Sequence, residues 1–242
     1  MIKLAISGAH GRMGMTITQL ALQKTDQFHV NTLLEHSRHP KLNECIEGIQ
    51  ANSDNNLIKG SNVLIEFTSP EATIENLKAC LKHNVKMVIG TTGFNEQQEA
   101  EIRNAAKTIP IVFASNMSMG VNVLFKLIET ASQKLPGLTD IFIGETHHIH
   151  KKDKPSGTAK TMQKIAQDAC DQKARFDEKN VKREGEVIGY HEITFETEFD
   201  TLKIIHNAKD RAMFAKGALE AAKFLTNKKN GLYTMYDVLG LE

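Results

Sequence analysis

Ile2-Lys3-Leu4-Ala5-Ile6-Ser7-Gly8-Ala9-His10-Gly11-Arg12-Met13-Gly14 decides the fold. Its first six residues are a mostly apolar run closed by glycine, the pattern of a strand buried in a parallel sheet. Residues 15–24 then repeat with a helical period. Between the two, Gly8, Gly11 and Gly14 are spaced G-x-x-G-x-x-G. Strand, glycine turn and helix in that order make a dinucleotide-binding opening. The absent side chains let the backbone approach a pyrophosphate, and the helix N-terminus complements its charge. Glycine spacing alone is weak; the strand before it and the helix after it give it weight.

Outward from this opening, a second strand over residues 29–34 ends at Glu35. An acidic residue about twenty residues past the glycines is placed to accept bonds from the adenosine ribose. Glu35 favours NAD, whereas Arg12, Arg38 and a protonated His36 would tolerate a 2′-phosphate, so NADH and NADPH both remain open. Residues 40–59 are polar and irregular, and an excursion without regular structure is expected there. Strands are then expected over 62–68, 85–91 and 109–115, with helices over 70–83 and 95–107. Such alternation builds a parallel sheet with right-handed crossovers and helices on both faces. Gly90-Thr91-Thr92-Gly93-Phe94 and Ala114-Ser115-Asn116-Met117-Ser118 fall at strand ends, where these sheets bind ligands.

Residues 116–122 read as a hinge into a second domain. There a helix is expected over 123–135, a strand over 138–150, a helix over 158–171, a charged surface loop over 172–182, and strands over 187–197 and 201–206. A helix over 210–227 and the tail return to the first domain. The fold expected is α/β: a Rossmann-type domain of residues 1–117 plus 210–242, and an α+β domain of residues 118–209 with a mixed sheet for substrate binding and oligomerisation.

The second domain carries Glu145-Thr146-His147-His148-Ile149-His150-Lys151-Lys152-Asp153-Lys154-Pro155-Ser156-Gly157-Thr158-Ala159. On a strand, alternation would put His147, Ile149 and Lys151 on one face. A histidine can give a proton, a lysine can hold a negative charge, and Ser-Gly-Thr at a helix start offers backbone N–H groups to an anion. A basic run by itself is more often a solvated loop. His148 and His150 are not joined by other residues at zinc-ligand spacing, so no metal is expected.

Composition narrows the rest. A net charge of +1 over 242 residues gives no global preference for nucleic acid or a membrane surface. Cys45, Cys80 and Cys170 follow no metal or redox spacing. Met1 leads directly into a strand pattern and no long apolar span follows, so a cytoplasmic protein is expected.

Taken together, the glycine turn, Gly90 to Phe94, Asn116 to Asn122, His147-His148-x-His150-Lys151-x-Asp153-x-Pro155-Ser156-Gly157-Thr158-Ala159, Phe214-Ala215-x-Gly217-Ala218 and Gly231-Leu232-Tyr233 resemble the 4-hydroxy-tetrahydrodipicolinate reductase (dihydrodipicolinate reductase) family of lysine and diaminopimelate biosynthesis. The histidine-lysine-Pro-Ser-Gly-Thr string is the specific part. The resemblance implies reduction of a cyclic, unsaturated dicarboxylate imine by NADH or NADPH, in a homotetramer joined through the second domain's sheet. It implies His147 as catalytic acid/base and Lys151 as the second catalytic residue, with His148, Gly157 and Thr158 on the substrate's carboxylates. Gly8, Ala9, His10, Gly11, Arg12, Met13, Glu35, His36, Gly90, Thr91, Thr92, Ala114, Ser115, Asn116 and Met117 would hold the cofactor. His36 stands where a basic residue often accompanies preference for the phosphorylated cofactor, and the 171–190 stretch is shorter than in typical members. An amino-acid dehydrogenase such as aspartate dehydrogenase, or a non-catalytic dinucleotide sensor, would share the first domain but would not need the Lys-x-Asp-x-Pro-Ser-Gly-Thr string.

Overall fold

The computed structural model describes residues 1–241. Two compact units divide the chain, Met1–Ser118 with the segment from Ala212 onward, and Met119–Arg211. In chain order the first unit holds β1 (Ile2–Ser7), α1 (Arg12–Leu22), β2 (Phe28–Leu34), β3 (Cys45–Ile46), β4 (Ile49–Asn52), β5 (Val63–Glu66), α2 (Pro70–His83), β6 (Lys86–Ile89), α3 (Glu96–Ala105) and β7 (Pro110–Phe113). The second holds α4 (Met119–Lys134), β8 (Asp140–His147), α5 (Gly157–Ala169), β9 (Ala174–Arg183), β10 (Gly189–Glu196) and β11 (Thr201–Ala208). The chain then returns to the first unit as α6 (Ala212–Leu225), β12 (Gly231–Tyr233) and α7 (Met235–Leu239).

The first sheet runs β12-β7-β6-β5-β1-β2-β4-β3. All its pairings are parallel except the β3–β4 hairpin. Leu4, Ala5 and Ile6 of β1 are fully buried, as its continuous apolar run requires of a central strand. Leu64, Met87, Ile89, Ile102 and Ile111 close the core under α2 and α3. The chain crosses from β2 to β5 on the other side of β1, so the strand order reverses at β1, the position where open parallel sheets leave a ligand crevice.

Residues 40–59 are more ordered than their polarity suggests. They form the β3–β4 hairpin, which adds to β2 through Leu33–Ala51 and Leu34–Asn52 pairing, and a 3-10 turn at Asn55–Ile58. Residues 116–122 are a shorter connection than expected, because the helix already begins at Met119 and buries Val121 and Asn122.

In the second unit a four-stranded sheet runs β11-β10-β8-β9. Pairings of β10 are antiparallel, and β8 with β9 is parallel, so the sheet is mixed. The charged 172–182 stretch is therefore edge strand β9 rather than a surface loop. Only Ala174 and Val181 of that strand are buried, so it carries little apolar signal, yet its backbone pairs with β8. Its register jumps between Ile143–Phe176 and Glu145–Val181, and the extra residues bulge outward. β8 ends at His147 rather than at residue 150. Ile149 N–H donates to Gly185 O and Lys151 N–H to His148 O, which turns the chain away from the strand and leaves Ile149 59% exposed.

Candidate active site

In the first unit the glycine turn meets the demands placed on it. Gly8 has φ +71°, a conformation that favours glycine, and a Cβ on Gly14 would lie 2.1 Å from the Gly8 carbonyl oxygen. α1 begins after Gly11 with no side-chain cap, whereas α2, α3 and α5 are capped by Ser69, Asn95 and Ser156. An uncapped start leaves backbone donors to an anion. Beside the turn lies a cleft of about 520 Å³, lined by Gly8, Glu35, His36, Arg38, Thr68 and Ser69 at the carboxyl ends of β1, β2 and β5. A carboxylate beside His36 and Arg38 is a set of groups able to meet sugar hydroxyls or a phosphate.

The Glu35 carboxylate folds back on the main chain, accepting from His10 N–H at 2.9 Å and from its neighbour His36 N–H at 2.8 Å. Glu35 thereby ties the end of β2 to the turn. His10 stacks on His39 with ring centroids 5.4 Å apart. Gly11, Arg12, Thr92 and Ser115 are exposed, while Met117 and Thr91 are buried. The Thr91 hydroxyl is committed inside the fold, accepting from Thr68 N–H and from the Thr73 hydroxyl. Thr68 and Ser69 line the cleft without having been singled out in the sequence. The buried Glu66 beside them accepts from Asn76 and from the Thr68 hydroxyl, and burial pushes its carboxyl up. A glutamate ending a strand core was their only sequence signal.

In the second unit His147 closes β8 and is buried. Its Nδ1 lies 3.3 Å from Oε2 of Glu145, which is fully buried. The other oxygen, Oε1, accepts from Ser156 N–H at 2.9 Å and from Arg183 Nη2 at 3.0 Å. Burial alone would raise the Glu145 carboxyl, but these bonds, with His147, hold it down at about 2. Across the sheet Glu145 pairs in register with His191, and His191 with His206. The His191 ring meets His147 edge-on at 5.0 Å. Burial first, and the nearby His147 second, push His191 down to about 3, so it is neutral at ordinary pH.

Lys151 stands on the loop beyond β8, not on the strand, and pairs with Asp153 at 2.7 Å. That bond, with Lys151's charge and the Gly157 N–H, holds the Asp153 carboxyl low. Ser156 caps α5 by accepting from Ala159 N–H, so Gly157 and Thr158 start the helix, and a Cβ on Gly157 would enter open space. His148 lies outside this buried group, its Nε2 3.3 Å from Arg211, and burial and then Arg211 depress its imidazolium. The structure thus brings His147, Lys151, Gly157 and Thr158 into one strand-loop-helix segment and sets His148 at its margin. Glu145, Arg183 and His191 complete it.

Glu145, His147 and His191 also offer ligand atoms within 4.8 Å of one another, the group with metal-ligand chemistry among the described residues. The Arg183 guanidinium beside the carboxylate opposes a second cation.

Residues 2–117 match the family model described as dihydrodipicolinate reductase, N-terminus, and residues 120–239 the model described as dihydrodipicolinate reductase, C-terminus. The chain belongs to the dihydrodipicolinate reductase family. Among the relatives of this reductase-family chain, the 4-hydroxy-tetrahydrodipicolinate reductase of Syntrophotalea carbinolica is 38% identical over 268 residues, covering 100% of both chains. That of Pelagibacter ubique is 40% identical over 258 residues, 98% of each. A solved dipicolinate-bound dihydrodipicolinate reductase from Paenisporosarcina sp. TG-14 superposes with a TM-score of 0.83 across 98% of each chain, at 21% identity, and so shares the fold. Membership of this family sets aside the aspartate dehydrogenase alternative.

Proposed function

We propose that this chain reduces the dihydrodipicolinate-type cyclic imine dicarboxylate derived from 4-hydroxy-tetrahydrodipicolinate, yielding tetrahydrodipicolinate in lysine and diaminopimelate biosynthesis, with NADH or NADPH as reductant. The observation that carries the assignment of roles is the single segment from β8 to α5. It holds a buried imidazole, a lysine and the N–H groups of a helix start in sequence.

The dinucleotide is assigned to Gly8 to Met13, Glu35, His36, Gly90 to Thr92 and Ala114 to Met117. When bound there, it supplies the hydride. What the chain itself contributes is position and protons. Reduction of a conjugated imine places charge on the substrate that a proton must cancel, and imidazole, with a reference pKa of about 6.5, is suited to give it. His147 takes that role, and Lys151 assists by holding charge beside it. Charge-assisted bonds from Lys151, with the Gly157 and Thr158 backbone and His148, fix the two carboxylates. Glu35 can receive ribose hydroxyls while His36, Arg38 and Arg12 accommodate a 2′-phosphate, which supports use of both cofactors.

The outer face of the mixed sheet, with Ile205 52% exposed, supports assembly as a homotetramer. Three thiols without disulfides support a reducing, cytoplasmic setting, and no described helix is long and apolar enough to cross a membrane. Calorimetric titration with NADH and NADPH tests the cofactor assignment. Affinities within tenfold of each other are expected, and a hundredfold preference, about 2.7 kcal/mol, would reject dual use. Light scattering that gives a monomer at working concentration would reject the tetramer.

A further inference from the structure

We infer that Glu145 and Arg183 form a buried clasp that positions both groups assigned to proton transfer, His147 and Lys151, and binds them to the start of α5. This deepens the roles proposed above and rests on them.

The two oxygens of one carboxylate are divided between two duties. Oε2 faces His147 Nδ1 at 3.3 Å, an ion-pair distance, and neither atom makes a hydrogen bond of good geometry with any group among the described residues, so each is the nearest polar atom the other has to answer. Oε1 receives the Ser156 N–H, fixing the residue that caps α5. Arg183 reaches the same Oε1, and its guanidinium also donates to the carbonyls of Asp153 and Lys151, the latter at 3.4 Å. One fork therefore staples the loop that carries Lys151 to the carboxylate that faces His147. Arg183 reaches this place because β9 runs parallel to β8 and pairs Arg183 with His147 in register.

Two consequences follow from the geometry. A carboxylate at Nδ1 selects the imidazole tautomer protonated there, which leaves Nε2 to exchange a proton with substrate. When the ring carries both protons, the same carboxylate is its counter-charge. A lysine in place of Arg183 would keep a positive charge but lose the fork. Both side chains are largely enclosed, with Glu145 at 0% and Arg183 at 13% side-chain exposure. They act through His147 and Lys151, as positioning residues.

The test compares Glu145→Gln, Glu145→Asp, Arg183→Lys and, as reference, His147→Gln, each checked for fold by circular dichroism and for unchanged dinucleotide affinity. Glu145→Gln should lower kcat about 10²-fold, with a smaller rise in KM, and Glu145→Asp should recover part of it. Ring ¹⁵N shifts of neutral His147 should report the Nδ1–H tautomer in the wild type and a mixture in Glu145→Gln. Arg183→Lys should lower kcat and raise KM together, because it frees the lysine loop and the helix start at once. A folded Glu145→Gln with wild-type kcat, or with the tautomer unchanged, overturns the clasp. If that variant does not fold, Arg183→Lys decides, and wild-type kcat and KM there overturn it. Full turnover by His147→Gln would instead remove the proton-donor role, leaving the tautomer measurement to judge the clasp by itself.

Discussion

Acid is expected to destabilise the second unit through His191. This side chain is 4% exposed, and neither ring nitrogen has a hydrogen-bond partner among the described residues. It is faced by His147, Glu145, His206 and Lys151, of which only Glu145 favours the imidazolium. With burial dominant, its folded value is pushed from 6.5 down to about 3. The unfolded chain takes up a proton below about pH 6.5, while the folded chain resists until about 3. Between those limits the unfolded state binds more protons, so stability is intact above the window and falls as pH drops through it. At about 1.4 kcal/mol per unit once the unfolded imidazole is mostly protonated, lowering the pH from 7 to 5 removes about 2 kcal/mol. Leucine has nearly the same volume and no proton site, so His191→Leu should flatten the stability profile by about this amount. Urea unfolding followed by far-UV circular dichroism at pH 7, 6 and 5 measures it, and comparing the two chains cancels contributions of the first unit. Parallel profiles for wild type and variant would refute a buried, neutral His191.

Other perturbations have equally definite outcomes. Gly14→Ala puts a Cβ 2.1 Å from the Gly8 carbonyl, so the turn must shift, and calorimetry should show at least a roughly tenfold loss of dinucleotide affinity with the second unit unaffected. Asp153→Asn removes a carboxylate that competes with substrate for Lys151 and Gly157; an exposed pair of this kind is worth about 0–1 kcal/mol, so KM should fall up to about fivefold, and a rise would reject the competition. Lys151→Ala and His147→Gln should each lower turnover about 10²-fold or more with dinucleotide affinity nearly unchanged, and near-normal turnover in either would remove its role.

The first unit was legible because its signals are local. An apolar strand followed by three spaced glycines and a helix identifies itself, and helix α2 begins and ends where its proline and histidine suggest. The second unit hides more. Edge strand β9 holds its place by backbone pairing and buries only two side chains, so it reads as a charged loop. Strand β8 stops at His147, and Lys151 reaches the site through a turn that alternation could not anticipate. His191 lies far along the chain and joins Glu145 only through the β8–β10 register. Glu145 itself was the first residue of the telling stretch, yet its duties depend on Ser156 and Arg183, partners that spacing does not reveal.

The central claim is most directly tested by turnover. Purified chain, confirmed as folded, is mixed with NADPH or NADH and freshly generated dihydrodipicolinate precursor, and oxidation of the dinucleotide is followed by absorbance. Substrate-dependent oxidation with both cofactors, abolished in His147→Gln, is the predicted result. Oxidation no faster than background with either cofactor would contradict it.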